Sequence, residues 1–368
     1  MFKGHCEVAP ARAFLESAGI HPDERREFCG LPVSSVALGT YLGAMDFSTD
    51  HKVAQATVMA ADAGINCFDS AINYRGQRGE KSLGEGFRRL FLMGKVKREQ
   101  VFVSTKGGFV PFEGVAEEDY TALFHREYVD KGIAAESDLI AECHCFHPAF
   151  LENQLERSRR NLGLETIDLY YLHNPETQLE EVPARVLEER LLDAFRFLER
   201  ARTEGRIQYY GLATWDGFRV GTDALDHLDL VKIVEIAQAA VPHGGSHGLK
   251  AIQLPLNLAM NESAFKATQR GASAISAAQR LGLSVAVSAP LYQSRLCDSD
   301  MPEFLTKYFP EGLTDAQRAL LFAVSVPGVA SAMTGMKEKE HVDENAAILR
   351  MARLSDAALD HLRTTLRK

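Results

Sequence analysis

GINCFDSAINY, residues 64–74, is a short apolar run that ends in a carboxylate, a small turn and a phenol. Isoleucine and phenylalanine in so short a run predict a buried parallel strand, which delivers Asp69 and Tyr74 to its carboxyl end. An ionised aspartate buried there is costly unless a cation faces it. That cation is expected further along the chain.

On both sides of this strand the pattern alternates. Upstream, EFCGLPVSSVALGT predicts a short strand, a Gly-Leu-Pro turn and a second strand ending at Thr40, with Tyr41 just past it. A helix over 51–63, with Asp50 as N-cap and Gly64 past its end, leads into the Asp69 strand. Downstream, helices over 80–93, 148–162 and 183–204 precede VFVSTK, TIDLYYLH and IQYYGLAT. Helices over 224–240, 264–280 and 314–324 precede AIQLPLN, LSVAVSAP and ASAMTG, and helices over 339–351 and from 355 onward finish the chain. Counted from SSVALGT, eight strands alternate with eight helices.

Such alternation implies right-handed crossovers and a parallel sheet, and eight units fit a closed (β/α)8 TIM barrel. An open dinucleotide-binding sheet would carry G-x-G-x-x-G after its first strand, and none stands there. The barrel is expected over 27–353, between an N-terminal extension, 1–26, and a C-terminal helix, 354–368. Residues 107–147 are too long for an ordinary barrel loop. The aromatics Phe109, Phe112, Tyr120, Phe124 and Tyr128 in that insertion after the third strand predict a lid packed over the barrel mouth.

A net charge of −9 and a pI near 5.8 argue against a nucleic-acid or anionic-membrane surface. The basic clusters after Phe87 and from Arg157 fall at helical spacing and read as solvated helix faces. Six cysteines with no apolar leader predict reduced thiols in a cytoplasmic protein. No apolar run approaches the roughly 20 residues that span a bilayer.

In a barrel of this kind, chemistry gathers at the carboxyl ends of the strands. Those ends are Thr40 and Tyr41, Asp69 with Tyr74, Lys106, His173, Thr214 and Trp215, and Gln253 with Asn257. Lys106 ends the strand next to that of Asp69 and supplies the cation. A lysine near a tyrosine hydroxyl favours the phenolate and lowers the phenol pKa, while the aspartate anchors the lysine. His173 is placed to orient the same oxygen. Each residue alone reads equally as a structural ion pair, a loop aromatic or a satisfied histidine. Their conjunction at consecutive strand ends points to an acid catalyst for a carbonyl group.

ECHCFHP packs Cys143, His144, Cys145 and His147 into five residues, but the spacing matches no standard metal site, so no metal is expected. His144, one strand end from His173, is a candidate substrate contact, with Tyr41, Phe109 and Trp215. Arg75, with Arg78, is placed either to grip a carboxylate or polyol or to stand as a solvated arginine.

Together, FDSAINY, VSTK and DLYYLHNP resemble the aldo-keto reductase superfamily, and VPGV, SAMTG and HVDENAA are similar to its cofactor-binding end. The resemblance implies Tyr74 as general acid, Lys106 and Asp69 as its tuning pair and His173 as the carbonyl-orienting residue. It also implies a nicotinamide dinucleotide laid across the strand ends, with NADP(H) favoured over NAD(H). Thr40 and Thr214 would stand at the strand ends beside it, Gln253 at the carboxamide, Pro290, Leu291 and Gln293 along the pyrophosphate, and Gly335, Lys337 and Asn345 at the adenosine end. Three features depart from the family pattern: Ala213 replaces a serine, Ser288 stands where an aromatic often stacks, and the basic pattern near the adenosine phosphate is thin, with only Lys337 and Lys339 beside Glu338 and Glu340. The expected activity is interconversion of an aldehyde, ketone or sugar-like carbonyl with its alcohol, the partner being a small carbonyl compound or polyol. An isomerase, epimerase or lyase on the same barrel is the alternative, followed by a regulatory binding subunit.

Overall fold

In the computed structural model, which describes residues 1–113, 119–297 and 299–366, ten strands are formed. They are β1 (Arg25–Phe28), β2 (Leu31–Ser34), β3 (Val36–Gly39), β4 (Cys67–Asp69), β5 (Phe102–Gly107), β6 (Ile167–His173), β7 (Ile207–Ala213), β8 (Leu249–Pro255), β9 (Ser284–Ser288) and β10 (Val329–Thr334). Strands β3 to β10 close into a parallel barrel in the order β10-β3-β4-β5-β6-β7-β8-β9. Helices Phe47–Asp62, Arg78–Leu92, Pro148–Leu162, Ala184–Thr203, Leu230–Ala239, Ala274–Arg280, Asp315–Ser325 and Lys339–Ala347 alternate with them. The (β/α)8 barrel expected from the alternation is therefore formed.

Three local expectations are corrected. The run EFCGLPVSSVALGT makes three strands, not two: Cys29 and Gly30, at φ 54° and 79°, make the turn, and a bend at Ser35 splits the segment after it into β2 and β3. The resulting β1–β2 hairpin is antiparallel and plugs the amino end of the barrel. Its Phe28, Leu31 and Val33 join an interior cluster of Ala37, Cys67, Phe102, Leu169, Tyr171 and Ala251, with Phe28 and Phe102 ring centroids 5.0 Å apart. The first barrel helix begins at Phe47, four residues earlier than expected, because Asp46 and not Asp50 accepts from Thr49 N at 2.7 Å. Within 264–280, only Glu262–Phe265 and Ala274–Arg280 are α-helical, the latter capped by Ser273.

The insertion folds as a helix (Tyr120–Phe124), a π-turn (His125–Val129) and a 3₁₀ turn (Glu136–Asp138). Its buried aromatics pack sideways rather than across the mouth. Phe124 and Tyr128 meet Phe150 of the helix Pro148–Leu162 at 5.9 and 4.6 Å. Among the described residues only Phe109 of the insertion's aromatics lines the cavity at the barrel mouth. Part of the expected lid, residues 114–118, lies outside the described residues. No helix among those described is long and apolar enough to cross a membrane.

Candidate active site

Strand parity builds the site. Alternate side chains face opposite ways, so Phe68 points outward to Phe87, 5.2 Å away, while Cys67 and Asp69 point into the barrel. Register pairs Asp69 with Ser104 on β5 and Lys106 with Tyr171 on β6, which puts all four on the inward face. Lys106 Nζ donates to Asp69 Oδ2 at 2.5 Å and to the Ser70 carbonyl at 2.7 Å. Ser104 Oγ donates to Asp69 Oδ1 at 2.6 Å, and Gln253 Nε2, from β8 across the barrel, reaches the same oxygen at 3.2 Å. The buried charges are thus paired and hydrogen-bonded, as burial at this depth requires.

Tyr74 lies on the turn after β4, with its ring edge-on to His173 at 5.8 Å and to Tyr41 at 5.0 Å. Lys106 Nζ sits 4.9 Å from the Tyr74 ring centroid. The lowered phenol pKa expected from this lysine is not found. Burial, then the Asp69 charge, then Tyr41, hold it well above the ordinary value. The reason is geometric: the ammonium hydrogen-bonds to Asp69 and Ser70 and lies over the ring, not at the hydroxyl. Burial, then Lys106 and His144, hold the His173 imidazole well below its usual pKa. At neutral pH the site therefore presents a protonated phenol and a neutral imidazole.

These groups open on a cavity of about 420 Å³. Asp69, Tyr74, His173 and Gln253 line it, with Thr40, Tyr41, Phe109, Ala213, Thr214, Trp215, Ser288, Pro290, Leu291, Gln293 and Gly335 around them. Lys106 supports them from behind. Besides Lys106, four of the predicted residues are not on the cavity wall. Arg75 is buried: it pairs with Asp50 and donates from Nε to the Ala44 carbonyl at 3.1 Å, so it ties down the loop that follows Tyr41 instead of meeting substrate. His144 is fully buried, bonded to the His173 carbonyl and to Gln178. Lys337 is half-buried beyond Gly335. Asn345 is buried on the helix Lys339–Ala347, and its Oδ1 has no partner among the described residues. No group of three or more His, Cys, Asp or Glu side chains able to hold a metal occurs among the described residues.

The sequence reading missed Glu176, in the 3₁₀ turn Pro175–Glu180 after β6. Its Oε1 accepts from the amides of Trp215, Asp216 and Gly217 at 2.6, 3.0 and 3.4 Å, which fixes the turn carrying Thr214 and Trp215. A carboxylate in a loop reads as solvated, and only its position directly after a strand end could have marked it. Burial pushes the Glu176 pKa up to about 7, against the pull of those amides. Emission of Trp215, the sole tryptophan, should change with a midpoint near pH 7 and lose that transition in Glu176→Gln. The folded pKa lies above the unfolded value of about 4.3. Folding therefore gains protons between about pH 4 and about pH 7, and this contribution to stability declines as pH rises through that window.

A closed (β/α)8 barrel with an Asp–Lys pair, a tyrosine and a histidine at the carboxyl ends of its strands defines the class. A model of the Aldo/keto reductase family matches residues 35–236, more than half of the chain, and the chain belongs to that family. Among curated relatives, D-threo-aldose 1-dehydrogenase of a Pseudomonas species is 30% identical over 191 residues, covering 50% of this chain and 51% of that protein. Aldo-keto reductase family 1 member C13 of Mus musculus is 24% identical over 174 residues, covering 45% and 42%. The chain spans about half the length of the curated relatives it matches. Among solved structures, an aldo-keto reductase from Bacillus halodurans in its holo form aligns with a TM-score of 0.63 at 18% identity, covering 92% of this chain and 93% of the other. One from Klebsiella pneumoniae in complex with NADP and acetate aligns at 0.62 and 20%, covering 93% and 95%. Both likenesses extend over the whole barrel and concern the fold.

Proposed function

We propose that the chain is an NAD(P)H-dependent oxidoreductase that interconverts an aldehyde, ketone or sugar-like carbonyl with its alcohol, with NADP(H) preferred. The observation that carries this reading is geometric: the Tyr74 phenol, with no hydrogen-bond partner among the described residues, faces the cavity beside the His173 ring, 5.8 Å away between centroids. Tyr74 Oη and the His173 imidazole hold the substrate oxygen. Tyr74 gives that oxygen its proton, while the buried Lys106 ammonium, 4.9 Å from the ring centroid, lies beside the Tyr74 ring.

When bound, the nicotinamide dinucleotide supplies or accepts the hydride. The residues suit such a group. Thr214 Oγ1, Thr334 Oγ1 and Asn345 Oδ1 are buried without partners among the described residues. Gln253 Nε2 is committed to Asp69, which leaves its Oε1 as an acceptor. Ala289, Tyr292, Gln293 and Ser294 all hold positive φ, from 49° to 72°, a concentration of costly backbone at the cavity edge that favours a binding role. The Klebsiella structure named with NADP supports the cofactor choice, and the Pseudomonas relative, named for an aldose, supports a sugar-like substrate.

The substrate is uncharged. Among the described residues no lysine or arginine lines the cavity, and Arg75 is already paired with Asp50. Phe109 is the contribution of the insertion 107–147 to the substrate pocket. A neutral aromatic aldehyde should therefore be turned over with kcat/KM at least about tenfold above its carboxylated analogue, a difference of about 1.4 kcal/mol.

The test is titration with NADPH and then NADH, followed by Trp215 emission and then by a carbonyl screen. Saturable quenching, tighter with NADPH, and carbonyl-dependent NADPH oxidation are expected. No binding of either, confirmed by calorimetry, would refute the reading. Ala213 and Ser288 would then mark a barrel that works as an isomerase, epimerase or lyase.

A further inference from the structure

His173 lacks the usual anchor of a functional histidine. Such a ring is normally oriented by a hydrogen bond at its second nitrogen, yet His173 Nδ1 is buried with no partner among the described residues. Among the described residues the ring meets Tyr74 edge-on at 5.8 Å and Phe109 at 5.0 Å. What is anchored is the backbone: the His173 carbonyl lies 2.7 Å from His144 Nε2. The His144 ring also meets Phe109 edge-on at 4.8 Å. One fully buried side chain thus reaches His173 from two directions, through its carbonyl and through the aromatic ring packed on it.

The tautomer of His144 follows from its neighbours. Arg190 Nη1 donates to Gln178 Oε1, which turns Gln178 Nε2 toward His144. That amide donates to His144 Nδ1 at 2.7 Å. With Nδ1 accepting, the ring proton stands on Nε2 and is donated to the His173 carbonyl. Burial pushes the His144 pKa down to about 4, so this tautomer persists through neutral pH. The third side is closed by Gly108. A Cβ there would stand 2.8 Å from the Phe146 ring, 3.0 Å from His144 Nε2 and 3.1 Å from the His173 carbonyl, at φ 139°.

We propose that His144, with its tautomer set by Gln178 and Arg190, is the positioning residue of His173 and holds that imidazole at its working angle to Tyr74. The proposal rests on the reading of Tyr74 and His173 as a carbonyl-binding pair. His144→Leu should lower kcat about tenfold or more, as loss of an outer hydrogen-bond partner commonly does, with KM and NADPH affinity unchanged. His144→Gln, whose amide can still donate to the carbonyl, should recover most of the rate. The ring-nitrogen NMR signals of His173, assigned with His173→Gln, should shift or split in His144→Leu and stay near parental in His144→Gln.

Parental kcat and unmoved His173 signals in His144→Leu would overturn the proposal. So would a rate loss matched by lost NADPH affinity with the His173 signals unmoved. Should His144→Leu fail to fold, Gln178→Leu frees the tautomer without emptying the His144 site and takes the same readouts. If the parent reduces no carbonyl, the proposed function fails, and the His173 signals alone still decide the positioning.

Discussion

Tyr74→Phe is expected to lower kcat for carbonyl reduction by about 10² to 10⁴-fold, the usual worth of a positioned general acid, while NADPH quenches Trp215 as in the parent. The substitution removes one oxygen and keeps the ring that packs against Tyr41 and His173. Oη enters no hydrogen bond to the described residues, so its loss breaks no contact that holds the fold. The Asp69–Lys106 pair also stays intact, since neither residue bonds to the phenol oxygen. Lys106→Met would be a poorer probe, because it strands a buried Asp69 charge and confounds catalysis with folding. Retention of most of the rate in Tyr74→Phe would show that the proton comes from elsewhere, and would refute the proposed acid.

At the opposite end of the barrel, Asp168→Ala is expected to cost about 3–5 kcal/mol of stability, the penalty of breaking a buried ion pair from one side. Asp168 is fully buried on β6 and accepts four hydrogen bonds: from Cys6 N, Arg98 Nη2 and Gln208 Nε2 at 2.7 Å, and from Val103 N at 2.8 Å. It thereby fastens the N-terminal segment, β5 and β7 to one carboxylate. Its removal leaves the Arg98 guanidinium buried, with the Val101 and Thr166 carbonyls as its remaining acceptors among the described residues. Urea denaturation should show a lower midpoint at unchanged slope. Asp168→Ala/Arg98→Met should recover part of the loss, because no uncompensated charge then remains. A single variant within about 0.5 kcal/mol of the parent, the range of an ordinary surface change, would mean that this carboxylate does not hold the barrel floor.

The barrel and the placement of three strand-end residues were legible because both follow from periodicity, whereas Tyr74 lies on the turn after β4. Strand parity puts Asp69, Lys106 and His173 on one face whatever the surrounding detail, and β-branched runs between helix patterns count out the eight units. What escaped was set by local competition or by distant partners. Asp46 and Asp50 are both plausible caps. Only the arginines after Tyr74 show that Asp50 is needed elsewhere. The insertion's aromatics predicted a lid over the barrel mouth, but an aromatic run does not specify the surface it packs on, and Phe124 and Tyr128 pack on Phe150 instead. Arg75 was a candidate substrate contact because it follows Tyr74, and His144 because it was expected one strand end from His173, yet each holds a main-chain carbonyl. Asp168, the lone charge within the apolar IDLYYL, carried a signal that went unused: a charge at the centre of such a run must be fully paired.

The hydrogen bond from Gln253 to Asp69 joins side chains 184 residues apart in the chain and on strands that are not neighbours in the barrel. Asp69 lies inside the segment that matches the family model, and Gln253 lies beyond its end at residue 236. The two halves of this barrel are therefore not interchangeable modules. A chimera that grafts the C-terminal half of a relative onto this N-terminal half would keep this bond only where the graft supplies a side-chain donor at the position of Gln253. Without one, the Asp69 carboxylate would keep Ser104 and Lys106 but lose the third of its side-chain donors, from a change 184 residues away in the chain.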